Sequence, residues 1–282
     1  MVKVVTDSTS DLPINVAKEL GIEIIPVFLV WEGKSYRDGI DIKPDEFYSR
    51  LAISNIMPTT SQPTHDDFLN LYTRLSAQSD GIVSIHISSK LSGTYGAALH
   101  ASKSPGNRVP VEVIDSQLNT MGLGLVAMAA ARLALAGANL KEVVKEARIA
   151  ITQIRMLGIF DTLKYVIAGG RIDRSVGRIA SILNIKPLLT LRHGTVTLVG
   201  ATRTYSKGID KLAEFIKSNL PVSELAIVHS AKPEGAENLL DKISDFIPAQ
   251  NIYINQLGVS LGVHGGPGIL LAALRVNNSS FK

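Results

Sequence analysis

Not one of the 282 residues is cysteine. That excludes disulfides, cysteine nucleophiles and thiolate metal sites, and it fits a reducing, cytoplasmic setting. Long apolar runs are missing as well, although 45% of the residues are hydrophobic and the mean hydropathy is +0.20. The longest apolar-looking stretch, Met121 to Ala138, is rich in alanine and glycine and carries Arg132. It reads as a buried helix lined with small residues, not as a membrane span. Aromatics are scarce, 5% with a single Trp, so a stacking platform for single-stranded bases is not expected. Charge of neither sign is concentrated: the net charge is +4, but the basic residues are spread out. With no basic stripe or recognition helix, nucleic acid is not an expected partner. The six histidines show no paired spacing on one helix and no dense Asp/Glu/His cluster, so no metal or cofactor is expected. No signal peptide is read, since Met1-Val2-Lys3 leads directly into a strand. Internal repeats and low-complexity linkers are absent.

What is present is a rhythm. Short apolar runs at Val2–Val5, Ile22–Val27, Ile82–Ile87 and Val111–Ile114 read as strands. Helical patterns at Ile14–Leu20, Pro44–Leu51, Thr64–Gln78, Gly96–Ser102, Gly122–Ala136 and Leu140–Gln153 lie between or beyond them. Strand-turn-helix repetition predicts a parallel, doubly wound α/β domain over residues 1–155. Phe28–Trp31 and Lys34–Tyr36 read as a hairpin around Glu32-Gly33, and residues 55–66 read as a loop punctuated by Pro58 and Pro63. Beyond residue 155 the pattern changes. Strands are expected at Met156–Phe160, Leu225–His229, Asn251–Asn255 and Ile269–Val276, and a hairpin around His193-Gly194. Helices are expected at Leu163–Ala168, Ser175–Leu183, Ser206–Asn219 and Pro233–Ser244. An antiparallel hairpin within this set predicts a second, mixed-sheet α/β domain over residues 156–282.

Chemistry gathers in turns. Ser88-Ser89-Lys90-Leu91-Ser92-Gly93-Thr94-Tyr95 joins a buried strand to a helix, and in open α/β sheets ligands bind at that edge. A helix start offers unpaired N–H groups to an anion, although Ser92 or Ser89 serves equally as a plain N-cap. A second hydroxyl turn, Pro58-Thr59-Thr60-Ser61-Gln62-Pro63, lies upstream. The ends of three predicted strands, Thr6-Asp7-Ser8, Ser88-Ser89 and Asp115-Ser116, carry hydroxyls and are expected on one sheet edge. Thr60, Ser61, Ser92, Arg171, Arg203 and His264 are the candidates: hydroxyls donate to a carboxylate or phosphate, and arginine does so as a fork. Glycines around His264 allow close approach to a ligand. Each also has an ordinary role open to it, as a turn hydroxyl, a helix-end cover, a solvated charge or a satisfied loop histidine.

Taken together these residues resemble the bacterial DegV family, fatty-acid-binding subunits that serve a fatty acid kinase. The resemblance covers essentially the whole chain. It rests on Asp7-Ser8-Thr9-Ser10-Asp11-Leu12, Thr59-Thr60-Ser61-Gln62-Pro63, Ser88 to Tyr95, Thr162-Leu163 through Gly169-Gly170-Arg171-Ile172, Lys186-Pro187, and His264 before Gly266-Pro267-Gly268, in that order. It implies a carrier, not a catalyst, that buries a long-chain fatty acid such as palmitate in an apolar tunnel. It would present the carboxylate to an ATP-using kinase for acyl-phosphate formation, in phospholipid synthesis. By the same resemblance Thr60 and Ser92 bind the carboxylate. Ser61, Arg171 and His264 lie near the head group or phosphate, and Arg203 with Lys207 docks the kinase. Two positions depart from the pattern: Ala168 stands where a basic residue commonly precedes Gly-Gly, and Gly265 where a larger residue is usual. Burial gains about 0.8 kcal/mol per methylene, so a ~16-carbon chain gains on the order of 10 kcal/mol before ordering costs. Small residues along 122–131 either leave room for such a tunnel or pack a helix closely. The competing reading is a serine hydrolase acting on an acyl ester, with Ser92 as nucleophile, His264 as base and Asp115 as the only obvious orienting acid. Lys90-Leu91-Ser92-Gly93-Thr94 lacks the Gly-x-Ser-x-Gly elbow that such an enzyme favours.

Overall fold

The computed structural model describes residues 1–172 and 185–277. The helix expected at Ser175–Leu183 lies outside the described residues. The first half builds a four-stranded parallel sheet from β1 (Val2–Asp7), β2 (Ile22–Ile25), β6 (Gly81–His86) and β7 (Val111–Asp115), in the order β2-β1-β6-β7. Its two central strands, β1 and β6, are buried almost throughout because helices cover both faces. On one side α1 (Ile14–Glu19), α5 (Thr120–Leu135) and α6 (Leu140–Gln153) pack on Val4, Val83 and Ile85. On the other, α3 (His65–Ser76) and α4 (Thr94–Ser102) pack on Val5 and Ile82. This is the doubly wound architecture expected. Because β1, β6 and β7 are parallel, their hydroxyl-bearing ends share one sheet edge.

A small antiparallel sheet, β4-β3-β5, comes from β3 (Phe28–Trp31), β4 (Lys34–Arg37) and β5 (Thr59–Ser61). The strand β5 was expected as loop. Three residues between two prolines carry no readable alternation; pairing to β3 orders them. Beneath this sheet lies α2 (Pro44–Ile53), with Trp31, Phe47 and Tyr48 stacked edge to face.

The second half builds a mixed sheet, β10-β9-β8-β13-β11-β12. Its strands are β8 (Ile154–Ile159), β9 (Lys186–Arg192), β10 (Thr195–Thr202), β11 (Val222–His229), β12 (Ile252–Gln256) and β13 (Leu270–Val276). Only β11 and β12 run parallel. The short α7 (Lys164–Ala168) follows β8, and Thr162 Oγ1 accepts from Lys164 N at its start. Asp161 does not share in that cap; it pairs with Lys186 and Lys232 at 2.9 and 2.6 Å. Helices α8 (Tyr205–Ser218) and α9 (Pro233–Ile243) cover one face through Ile209, Leu212, Ile216 and Leu239. The other face meets α5, which is wedged between the two sheets, so one core runs from Val83 and Ile85 through α5 to Ala226 and Ala273. Gly122 and Gly124 let α5 approach this closely: a Cβ on either would strike Met156 or the Ser10 carbonyl. Close packing is therefore the use of the small-residue stretch, and none of residues 121–131 lines the cavity described below.

The last difference from the sequence reading matters most for the site. Residues expected as a glycine-rich turn form a seven-residue helix, α10 (Val259–Gly265). Its interior glycine, Gly262, sits where a Cβ would strike Phe47 and Tyr48. Glycine here buys helix-to-ring contact, although it disfavours helix in isolation. The chain then turns at Gly266, which has φ +75° and faces the Tyr165 ring. A Gly266→Ala variant meets a backbone penalty and a steric one together. It should lose roughly 2–4 kcal/mol of stability, read as a lowered urea midpoint.

Candidate functional site

The cavity lies between the two sheets and opens to solvent; it takes in about 790 Å³ of protein-free space, part of it outside the protein surface. Its wall is mostly apolar, with Val27, Ile87, Leu91, Phe160, Val166, Val196, Leu257, Leu261, Ile269 and Leu271 among the lining residues. Four of the sequence candidates line it as well: Thr60, Ser92, Arg171 and His264.

Each arrives by a separate route. Thr60 is the middle residue of β5, paired to Leu29, and strand alternation turns it away from the exposed Ser61. Ser92 ends the turn after β6. It is not the N-cap of α4, a position taken by Gly93; its Oγ bonds Thr94 Oγ1 at 2.8 Å. Gly93 is needed because the Gln62 side chain lies against it, which joins the two hydroxyl turns directly. Arg171 follows Gly170, whose φ is +67°, and its Nε donates to Leu91 O at 3.3 Å. The last turn of α10 carries His264, whose Nε2 lies 2.9 Å from Thr60 Oγ1.

Two carboxylates from the first half hold α10 in place. Asp38 accepts from Val259 N and Ser260 N, both at 3.2 Å, and from Ser8 Oγ at 3.0 Å. Asp11 accepts from Gly258 N at 2.9 Å and from Thr120 Oγ1 at 2.5 Å. Neither aspartate was singled out from the sequence, although Asp11 lies in the opening Asp-Ser-Thr-Ser-Asp-Leu segment. Their role depends on a helix more than 200 positions away, as the Asp38-to-Val259 separation of 221 shows.

Burial, with the Arg171 charge adding to it, lowers the His264 pKa from 6.5 to about 4. The imidazole is therefore neutral at pH 7. Its Nδ1 is buried without a hydrogen-bond partner. The tautomer with hydrogen on Nε2 leaves only a lone pair unpaired there, the smaller penalty. In that tautomer His264 donates to Thr60 Oγ1, and the Thr60 hydrogen is free for an acceptor in the cavity. The pH dependence follows. Between about 6.5 and 4 the unfolded chain binds a proton at this residue that the folded protein refuses, so stability falls as pH falls through that window. The loss is on the order of 3 kcal/mol, and a His264→Gln variant should flatten it in urea titrations across that pH range.

Not all candidates converge. The exposed Ser61 side chain reaches only Gln62 O. Arg203 and Lys207 are exposed and absent from the cavity wall, at and beyond the end of β10. The hydrolase arrangement is not formed either. Ser92 bonds Thr94, His264 bonds Thr60, and Asp115 accepts from Ser89 N, Ser89 Oγ and Gln117 N. A linear Ser-His-Asp chain does exist elsewhere: Ser84 Oγ to His86 Nε2 at 2.7 Å, and His86 Nδ1 to Asp7 Oδ2 at 2.9 Å. All three residues are fully buried, so no substrate reaches them. Among the described residues no group of His, Asp and Glu has the arrangement of a metal site, and no helix is long and apolar enough to cross a membrane.

With this geometry in hand, comparison with known proteins is decisive. A family model described as "Uncharacterised protein, DegV family" matches residues 1–274. This chain belongs to the DegV family. A DegV domain-containing protein of Caldanaerobacter subterraneus subsp. tengcongensis is 34% identical over 269 residues, covering 94% of this chain and 95% of the relative. Among solved structures, a fatty-acid-binding DegV family protein from Thermus thermophilus superposes with a TM-score of 0.89 at 30% identity, covering 98% of this chain and 99% of the other. DegV of Bacillus subtilis, a fatty acid binding protein, gives 0.86 at 28% identity, with 98% and 99% covered. The two-sheet α/β architecture is thus that of solved DegV structures.

Proposed function

We propose that this protein binds a long-chain fatty acid with its chain in the cavity and its carboxylate on Thr60 and Ser92. The supporting observation is the convergence of Thr60, Ser92, Arg171 and His264 on an otherwise apolar cavity. Burial of the chain supplies affinity, at about 0.8 kcal/mol per methylene. The hydroxyls fix the head group. Thr60, accepting from His264, donates its own hydrogen to one carboxylate oxygen, and Ser92 donates to the other; hydrogen bonds to a charged acceptor are the stronger kind. Arg171 adds positive charge on the same cavity wall. Similarity to DegV proteins that bind fatty acids supports the same ligand class here.

The protein then acts as a carrier in the cytoplasm, not a catalyst, and hands the carboxylate to an ATP-using kinase subunit that makes the acyl phosphate. Arg171 would stabilise the extra negative charge of that product, and His264 would act on it through the Thr60 hydroxyl it bonds. The exposed Arg203 and Lys207 are the docking contacts in this reading. Native mass spectrometry of the purified protein tests the ligand, followed by denaturing extraction of what co-purifies. A fatty acid of definite chain length supports the reading. A protein that arrives empty and takes up no added fatty acid refutes it.

A further inference from the structure

The head-group cluster does not account for all the polarity of the cavity wall. One turn back along α10 from His264, on the same helix face, stands Ser260, which also lines the cavity. Only 2% of Ser260 is exposed. Its Oγ lies beside the Asp38 carboxyl group, which draws on it without a hydrogen bond of normal geometry, and it has no other partner. A buried hydroxyl without a partner is rare and costly. Thr9, Asn119 and Thr120 line the cavity too. Bonds through Asp38 and Asp11 tie the segments that carry them to the first turn of α10, so they belong to the Ser260 end.

Their hydrogen-bonding capacities differ from those at the head group. Thr9 Oγ1 donates to Asp7 Oδ1 at 2.5 Å, so it offers the cavity lone pairs only. Asn119 holds the N-cap position of α5, where asparagine is favoured because its side chain bonds the helix N–H groups. Here it makes no such bond, and its amide is left to the cavity. Ser260 Oγ, with the Asp38 carboxyl group beside it, accepts from no group of the protein and keeps its lone pairs for the cavity.

We propose that Ser260, Thr9, Asn119 and Thr120 form a second polar station, about 5 Å along α10 from His264, that binds a hydroxyl group on the acyl chain. The protein then selects a hydroxylated fatty acid over its unsubstituted counterpart. A hydroxyl brings one donor and two acceptor sites, which matches this set. A methylene leaves the set unpaired, and a carboxylate has no hydrogen to give Thr9. The inference rests on carboxylate binding at Thr60 and Ser92, which fixes the distance from head group to station.

The test is competition binding with hexadecanoic acid against hydroxyhexadecanoic acids that carry the hydroxyl at successive carbons from the carboxyl end. One positional isomer should bind about tenfold more tightly than hexadecanoic acid, with its neighbours weaker. In Ser260→Ala that ratio should fall to about one. Asn119→Ala, on a different element, should give the same loss. If every hydroxy acid binds more weakly than hexadecanoic acid, or the preference survives both substitutions, the station holds only water and the inference is overturned while the carboxylate reading stands. Failure to bind any of these acids overturns both.

Discussion

A Thr60→Val/Ser92→Ala double variant should lose fatty-acid affinity by a factor of roughly 10² to 10⁴. Each hydroxyl gives a carboxylate one charge-assisted hydrogen bond, worth about 1.5–3 kcal/mol, and every 1.4 kcal/mol is about tenfold. Neither change threatens the fold. Valine matches threonine in shape and suits the strand β5. Ser92 is half-buried, and its hydroxyl serves only Thr94. The single variants should not be equal. Thr60→Val also strands His264 Nε2, which bonds Thr60 Oγ1 at 2.9 Å, so it should cost more than Ser92→Ala. Calorimetric titration with one defined fatty acid reads both numbers. Unchanged affinity in the double variant would place the carboxylate elsewhere.

The largest effect on stability should come from Asp7→Ala. This fully buried carboxylate accepts from Thr9 N, Thr9 Oγ1, His86 Nδ1 and Ile87 N. Removing it orphans four donors where water cannot replace it, at about 1–3 kcal/mol each. A loss on the order of 4 kcal/mol or more is expected, against total stabilities of about 5–15 kcal/mol for folded domains. Urea unfolding measures it, or the variant accumulates unfolded. By contrast Ser84→Ala, at the far end of the same chain, leaves only the Tyr72 hydroxyl and one His86 nitrogen unpaired and should cost less. A fluorophosphonate should label neither Ser84, which is sealed, nor Ser92, which has no base.

The parallel sheet was readable because its strands are short, mostly apolar runs, and three of them, β1, β6 and β7, are followed by hydroxyl-bearing turns, a local signal. Thr64 and Asp67 marked the start of α3 for the same reason, and both halves of that capping box are formed. The four candidates that line the cavity, Thr60, Ser92, Arg171 and His264, were readable as residue types in turns, and through their order in a known family. What local pattern did not carry was the support. β5 exists because Leu29 pairs with Thr60. Glycine-rich α10 exists because Asp11 and Asp38 satisfy its first N–H groups and because Phe47 and Tyr48 fill the space its glycine leaves. Ser61 stands off the cavity wall because 59–61 is a strand, whose alternation turns both neighbours of Thr60 the other way, and the sequence alone does not show that strand.

The bond between Thr60 and His264 spans 204 positions of sequence. During synthesis the parallel sheet can form early, since chains fold from the N-terminal end as they emerge. The wall that completes the cavity, including Leu257, His264 and Ile269, is made much later. Contacts this distant in sequence are among the slowest to close. Ligand capture should therefore come last on the ribosome, so a nascent chain with its sheet already resistant to protease would still release every lipid offered to it.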